Sequence, residues 1–235
     1  AESARLLEAR QEEAYVSAAL LQVAQAVVSL NELDEILEAI VRITPMLVGV
    51  ERCAIFLWSE QEGAFRPTQS YGTSLPDHTL APHEFPLLDV VRTQNQLIVL
   101  DSSDQIRELI PPHLASELGL AAPSTEPQQN GTGAVVAVPL AVKGNVLGAL
   151  LVSESNRHSG FDERRMEIIT GIGQQAALAV QNDRLQQEMA ERERLERELQ
   201  LAREIQQTFM PEHLPQPPGW ELAVTWRAAR QVAGD

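Results

Sequence analysis

Groups that commonly advertise chemistry are scarce in this chain. One cysteine, Cys53, occurs in 235 residues, so no intramolecular disulfide can form, and a reducing, cytoplasmic setting is the expectation. Aromatic residues make up 4%, and 18 Lys plus Arg face 33 Asp plus Glu, for a net charge of −15. Nucleic acid is held by clustered cations and stacked aromatics, and anionic lipid by basic clusters. Neither nucleic acid nor membrane is therefore expected as a partner. No apolar run approaches the roughly 20 residues that span a bilayer, and the N-terminal stretch lacks the apolar centre of a signal peptide. Phosphate-binding loops, dinucleotide fingerprints and nucleophile elbows are missing too. The five histidines, His78, His83, His113, His158 and His213, lack the close spacing of a metal site and read as loop residues.

What the chain does have is periodicity. Residues 2–30 contain no Pro or Gly, and Leu6, Leu7, Val16, Leu20, Leu21, Ala24, Val27 and Val28 recur at helical spacing. A second helix follows, capped by Asn31 with Asp34 three residues on. Leu33, Ile36, Leu37, Ile40, Val41 and Thr44 form its core stripe, and Pro45 is expected to bend it or end it early.

Residues 52–58 are nearly all apolar, as in a strand buried on both faces. Alternation puts Ala54, Phe56 and Trp58 on one side and Cys53, Ile55 and Leu57 on the other. On that buried strand Cys53 reads as a small core residue. Residues 64–71 return as a second strand, where Pro67 suits an edge or a bulge. Further on come a short helix at 86–94, a strand at 97–100 and a capped turn at 101–104. The second half of 110–133 is rich in Pro and Gly and reads as a mobile surface loop. Residues 134–142 and 146–154, joined by Lys143-Gly144-Asn145, form a hairpin. Asp162 then caps a helix without proline as far as Met210. At about 1.5 Å per residue it would run ~70 Å, too long to lie on one small core. Beyond residue 182 its apolar positions, Leu185, Met189, Leu195, Leu199, Ala202, Ile205 and Phe209, form two heptad-like patches broken near Arg192 and Glu193. A parallel homodimeric coiled coil, with the N-terminal helix as neighbour, is the expected way to cover them; a solvated single helix is the alternative.

The segments "LLQVAQAVVSLNELDEILEAIVRITPMLVGVERCAIFLW", "AVVAVPLAVKGNVLGALLVSESN" and "GFDERRMEIITGIGQQAALAVQNDRL" resemble, in order, a GAF domain over roughly residues 17–185. The resemblance implies an α+β fold: an antiparallel sheet with the first and last helices on one face and a small-molecule pocket on the other. The pocket would be walled by Ala54, Phe56, Tyr71, Phe85 and Leu88, with plain core packing as the alternative for each. The motif of cyclic-nucleotide GAF domains is not evident, and the pocket's ligand stays unknown.

A second resemblance begins in the long helix. "LAREIQQTFMPEHLPQPPGWELAVTWRAARQVAGD" is similar to the entry of metal-dependent PP2C-type, SpoIIE-like serine phosphatases. Ala202, Ile205, Gln206, Pro211, Gly219, Glu221 and Ala223 carry the likeness, and Val232-Ala233-Gly234-Asp235 has Ala233 where the family favours Gly. The resemblance implies that Asp235 is a ligand of Mn²⁺ or Mg²⁺ whose companions lie downstream, so the chain is expected to stop inside that catalytic domain and to hold neither a catalytic set nor a cofactor of its own. The expected organisation is a helical extension (1–16), a GAF sensor (17–180), a coiled-coil signalling helix (181–210) and the start of a phosphatase domain (211–235). The expected role is sensing and homodimerisation through the terminal helices, with a phosphorylated anti-sigma-factor antagonist as substrate of the parent. The alternatives are a stand-alone ligand-binding or dimerisation module, or the sensor of a histidine kinase or cyclase; the long helix carries no phosphoacceptor histidine between His158 and His213.

Overall fold

The computed structural model describes residues 14–25, 30, 32–118, 133–154, 161–209 and 217–219. The expected loop over 119–132, the Asn31 cap, His158, the prolines of 211–216, His213, the strand near Trp220 and Asp235 lie outside the described residues. The chain divides into two compact units, Ala1–Asn182 and Asp183–Asp235.

In the first unit, helices α1 (residues 14–25) and α2 (Leu33–Val48) precede strands β1 (Arg52–Ser59) and β2 (Ala64–Tyr71). Three short helices follow, α3 (Pro86–Gln94), α4 (Ser103–Leu109) and α5 (Pro112–Glu117), with β3 (Ile98–Leu100) between the first two. The hairpin β4 (Ala134–Val142) and β5 (Asn145–Glu154) leads to α6 (Glu163–Thr208). The five strands form one antiparallel sheet in the order β2-β1-β5-β4-β3. This is the α+β architecture expected from the sequence.

Local chemistry explains most boundaries. Ser102 caps α4 by accepting from the Gln105 amide at 3.4 Å, and Asp162 Oδ1 accepts from the Arg165 amide at 2.8 Å ahead of α6. Lys143 and Gly144 both have positive φ, 51° and 85°, the pair of left-handed residues that a tight primed turn needs. The N-cap of α2 is Glu32, extended and without a side-chain cap bond. One expectation for α2 needs correction: Pro45 does not end it, and the helix runs three residues further and stops at left-handed Gly49, whose amide reaches the Pro45 carbonyl. Thr44, fully buried, donates its hydroxyl to the Ile40 carbonyl at 2.6 Å beside the proline.

Alternation along the strands builds two cores. Cys53 and Ile55 of β1, with Val136, Val138, Leu150 and Val152, pack against α1, α2 and α6 through Val23, Leu37, Ile40, Ile169, Ile172 and Ala176. Ala54 and Phe56, with Val135, Ala137, Ala149 and Leu151, face the short helices through Leu88, Val91, Ile106 and Leu114. Strand β1 is therefore buried on both sides, as its unbroken apolar run demands. Gly148 sits where a Cβ would meet the Phe56 carbonyl oxygen and Leu57 Cα, so β1 and β5 approach only because it is glycine. Gly171 gives the same freedom to α6 against Leu20 of α1.

Candidate functional site

Four of the five expected pocket residues come together. Ala54, Phe56, Phe85 and Leu88 are buried in the core on the short-helix side, and the rings of Phe56 and Phe85 meet edge to face with centroids 5.7 Å apart. Tyr71 does not join them. It pairs across the strands with Cys53, on the long-helix side, and is 46% exposed. The cause is a bulge: β1 advances from Ile55 to Phe56 while β2 moves from Gln69 back to Pro67. The extra residue, Thr68, inverts the alternation, so Phe65 and Tyr71 leave opposite faces despite their even spacing.

A small cavity opens beside Ala54. Leu118, Val135 and Leu151 form its apolar walls, and Arg52, Thr73 and Ser153 bring polar atoms. Its volume is about 10 Å³, room for a single water. Arg52 and Ser153 are cross-strand partners on β1 and β5, which brings these two residues together at the cavity. Arg52 and Ser153 are hidden in the sequence because they meet only through the β1–β5 register, which pairs residues about a hundred positions apart; Thr73 follows the end of β2.

Cys53 also borders this cavity but offers no nucleophile. Burial pushes its thiol up to about 12, with an opposing contribution from the Thr44 hydroxyl. A thiol that stays protonated is inert to exchange and alkylation.

On the long-helix side, the last residue of β5 meets the first turn of α6. Arg165 donates to Glu154 Oε2 at 2.6 Å and to the Val48 carbonyl at 2.9 Å, and its guanidinium lies 4.6 Å from the Phe161 ring centre. Both side chains are nearly buried, 13% and 6% exposed. Among the described residues Glu154 Oε1 has no hydrogen-bond partner. The pair thus binds α6, β5 and the end of α2 in one polar joint. In the sequence it shows only as two charged residues placed at element ends.

Among the described residues no group of three or more His, Cys, Asp or Glu could hold a metal ion, and no helix is long and apolar enough to cross a membrane.

A family model described as "GAF domain" matches residues 32–180. Among solved structures, the chain is similar to a GAF domain/HD domain protein from Geobacter sulfurreducens, with 25% identity and a TM-score of 0.52 over 66% of this chain and 97% of that one. The GAF domain of a phosphoenolpyruvate-protein phosphotransferase from Coxiella burnetii gives a TM-score of 0.59 at 17% identity, covering 73% of this chain and 95% of that one. Free methionine-R-sulfoxide reductase from Neisseria meningitidis shares the fold at 14% identity, with a TM-score of 0.55 over 72% and 90% of the two chains. No curated protein matches the sequence.

Proposed function

The chain belongs to the GAF domain family, whose members serve as sensory and regulatory modules of signalling proteins, and from that premise we propose that it senses a small molecule or partner and dimerises to pass the signal on. The observation that carries the proposal is α6. It is a single helix of 46 residues, and every residue from 185 to 198 is exposed. Leu185, Met189 and Leu195 are each about half exposed or more, as are Leu201 and Ile205 further along. A polar helix with a broken apolar stripe gains little from propensity alone and is stabilised by a partner. A second copy of the chain, in parallel, would bury that stripe in a coiled coil. The interruption near Arg192 and Glu193 leaves two registers close in energy, and a difference of a few kcal/mol between states is enough for a switch.

The effector downstream would be a PP2C-type phosphatase domain. Support for this comes from Ala202, Ile205, Gln206, Pro211, Gly219, Glu221, Ala223 and the Val232–Asp235 run, which resemble the entry of that family. Such enzymes use Mn²⁺ or Mg²⁺ held by hard oxygen ligands. One carboxylate, Asp235, does not fit a metal site, so no step of the proposal runs through a metal. The parent's substrate would be a phosphorylated anti-sigma-factor antagonist.

The stand-alone module is the second reading, favoured by a specific observation: the GAF domain from Coxiella burnetii described above is matched over 95% of its own length. Native mass spectrometry of the chain tests the shared core of both readings. The expected spectrum is a dimer, with or without a retained small molecule. A monomer at tens of micromolar, free of ligand, overturns the proposal.

A further inference from the structure

We infer that the Glu154–Arg165 pair is the joint through which occupancy of the small cavity reaches α6. The inference rests on the sensing reading above and deepens it by naming the coupling residues.

It follows from alternation along β5. Ala149 and Leu151 face the short-helix core, whereas Leu150 and Val152 face the long-helix core. Ser153 continues the first series and borders the cavity. Glu154 continues the second and is held by Arg165 of α6. One peptide bond therefore separates a cavity wall from the residue that grips the signalling helix. The cavity has room for about one water, so any larger occupant must displace its walls, and a close-packed interior passes such displacement on rather than absorbing it.

The contact on the far side suits transmission. Apolar side chains can slide past one another, whereas a hydrogen-bonded ion pair has a preferred distance and direction. Separating buried charges is also costly, because each is left without water. Arg165 cannot follow Glu154 without altering its bond to the Val48 carbonyl or its place beside Phe161. Its backbone amide is fixed by Asp162 in the first turn of α6. Movement at the end of β5 is thereby converted into movement of the helix start. The joint is lopsided as well: among the described residues only one carboxylate oxygen is engaged.

Amide hydrogen exchange on the full chain tests this, with Ser153→Leu standing in for an occupant. Exchange across residues 166–182 is compared in two backgrounds: the native pair, and Glu154→Leu with Arg165→Met, which replaces both charges by apolar groups and avoids stranding either one. With the native pair, Ser153→Leu is expected to change exchange in that segment about fivefold or more, within the range of coupling between contacting residues. In the apolar background the change is expected to vanish. Equal changes in both backgrounds, or none in either, overturn the inference. If Ser153→Leu does not fold, Ala54→Val fills the cavity from the β1 wall and is read in the same way. Neither arm needs a ligand or a dimer, so the joint can fail while sensing stands. A ligand-free monomer in native mass spectrometry would instead remove the sensing reading and leave the exchange result intact.

Discussion

Cys53 shows how far a single residue's environment decides its chemistry. Its thiol is buried, flanked by Thr44, and pushed from 9.0 to about 12 chiefly by loss of solvent. Between those values the unfolded chain releases the thiol proton and the native chain keeps it. Stability therefore falls as pH rises through that window, by about 1 kcal/mol per pH unit, and the thiol adds no pH dependence below about pH 8. Urea unfolding of the native chain and Cys53→Val at about pH 8 and pH 10 checks this: the native chain is expected to lose about 1 kcal/mol more than the variant over that interval. The residue's core role was legible beforehand, because alternation along residues 52–58 alone places it inside. Tyr71 was not legible. A single extra residue in β2 reverses its direction, and nothing in the string "RPTQSY" tells which position bulges. Pro67 announced that a bulge or edge was near, and it occupies both.

At the scale of elements, strands and helices with strong periodic patterns came out where the pattern put them, and those shaped by tertiary contact did not. The β4–β5 hairpin follows from its turn residues. Helix α5 rests on two buried side chains, Leu114 and Ala115, in the first half of 110–133, where no periodic pattern assigns an element. The persistence of α2 through Pro45 has a similar origin: Val41, Thr44 and Val48, buried on either side of the proline, hold the last turn against its missing donor. Packing also ranks the glycines. Gly148→Ala would press a methyl against the Phe56 carbonyl and Leu57 Cα at the β1–β5 contact, at a cost of about 1–3 kcal/mol or more. Gly144→Ala meets open space and incurs only the strain of its φ of 85°, about 1 kcal/mol. Thermal unfolding of the two variants should reproduce that order; a milder effect at Gly148 would contradict the close approach.

For the molecule as a whole, the proposed division of labour separates a folded sensor from the helix that reports for it. Shortening the chain to residues 1–182 keeps the sheet, both cores and the Glu154–Arg165 joint, and removes the exposed stripe of α6. The shortened chain is expected to keep its thermal midpoint within a few degrees, since an exposed helix adds little to the core, and to sediment as a monomer under conditions where the full chain is expected to sediment as a dimer. A dimer that survives shortening would assign the contact to α1. The family and fold were legible at this scale because several segments agree in order, whereas the cavity was not, since its walls are drawn from β1, β4, β5 and the end of α5.

The strand order has a further consequence, in time rather than space. The pairing of β1 with β5 joins Arg52 to Ser153, so β1 emerges from the ribosome about a hundred residues ahead of that partner. At roughly 5–20 residues per second, that is a delay of about 5–20 seconds. During it β1 can pair only with β2, and its other edge waits open, although α2 is already made and can cover one of its faces. Closure over so long a separation is slow in its own right. The sensor therefore matures from its C-terminal side: the sheet closes when β5 arrives, and α6, the element proposed to carry the signal, is also the last to cover the core.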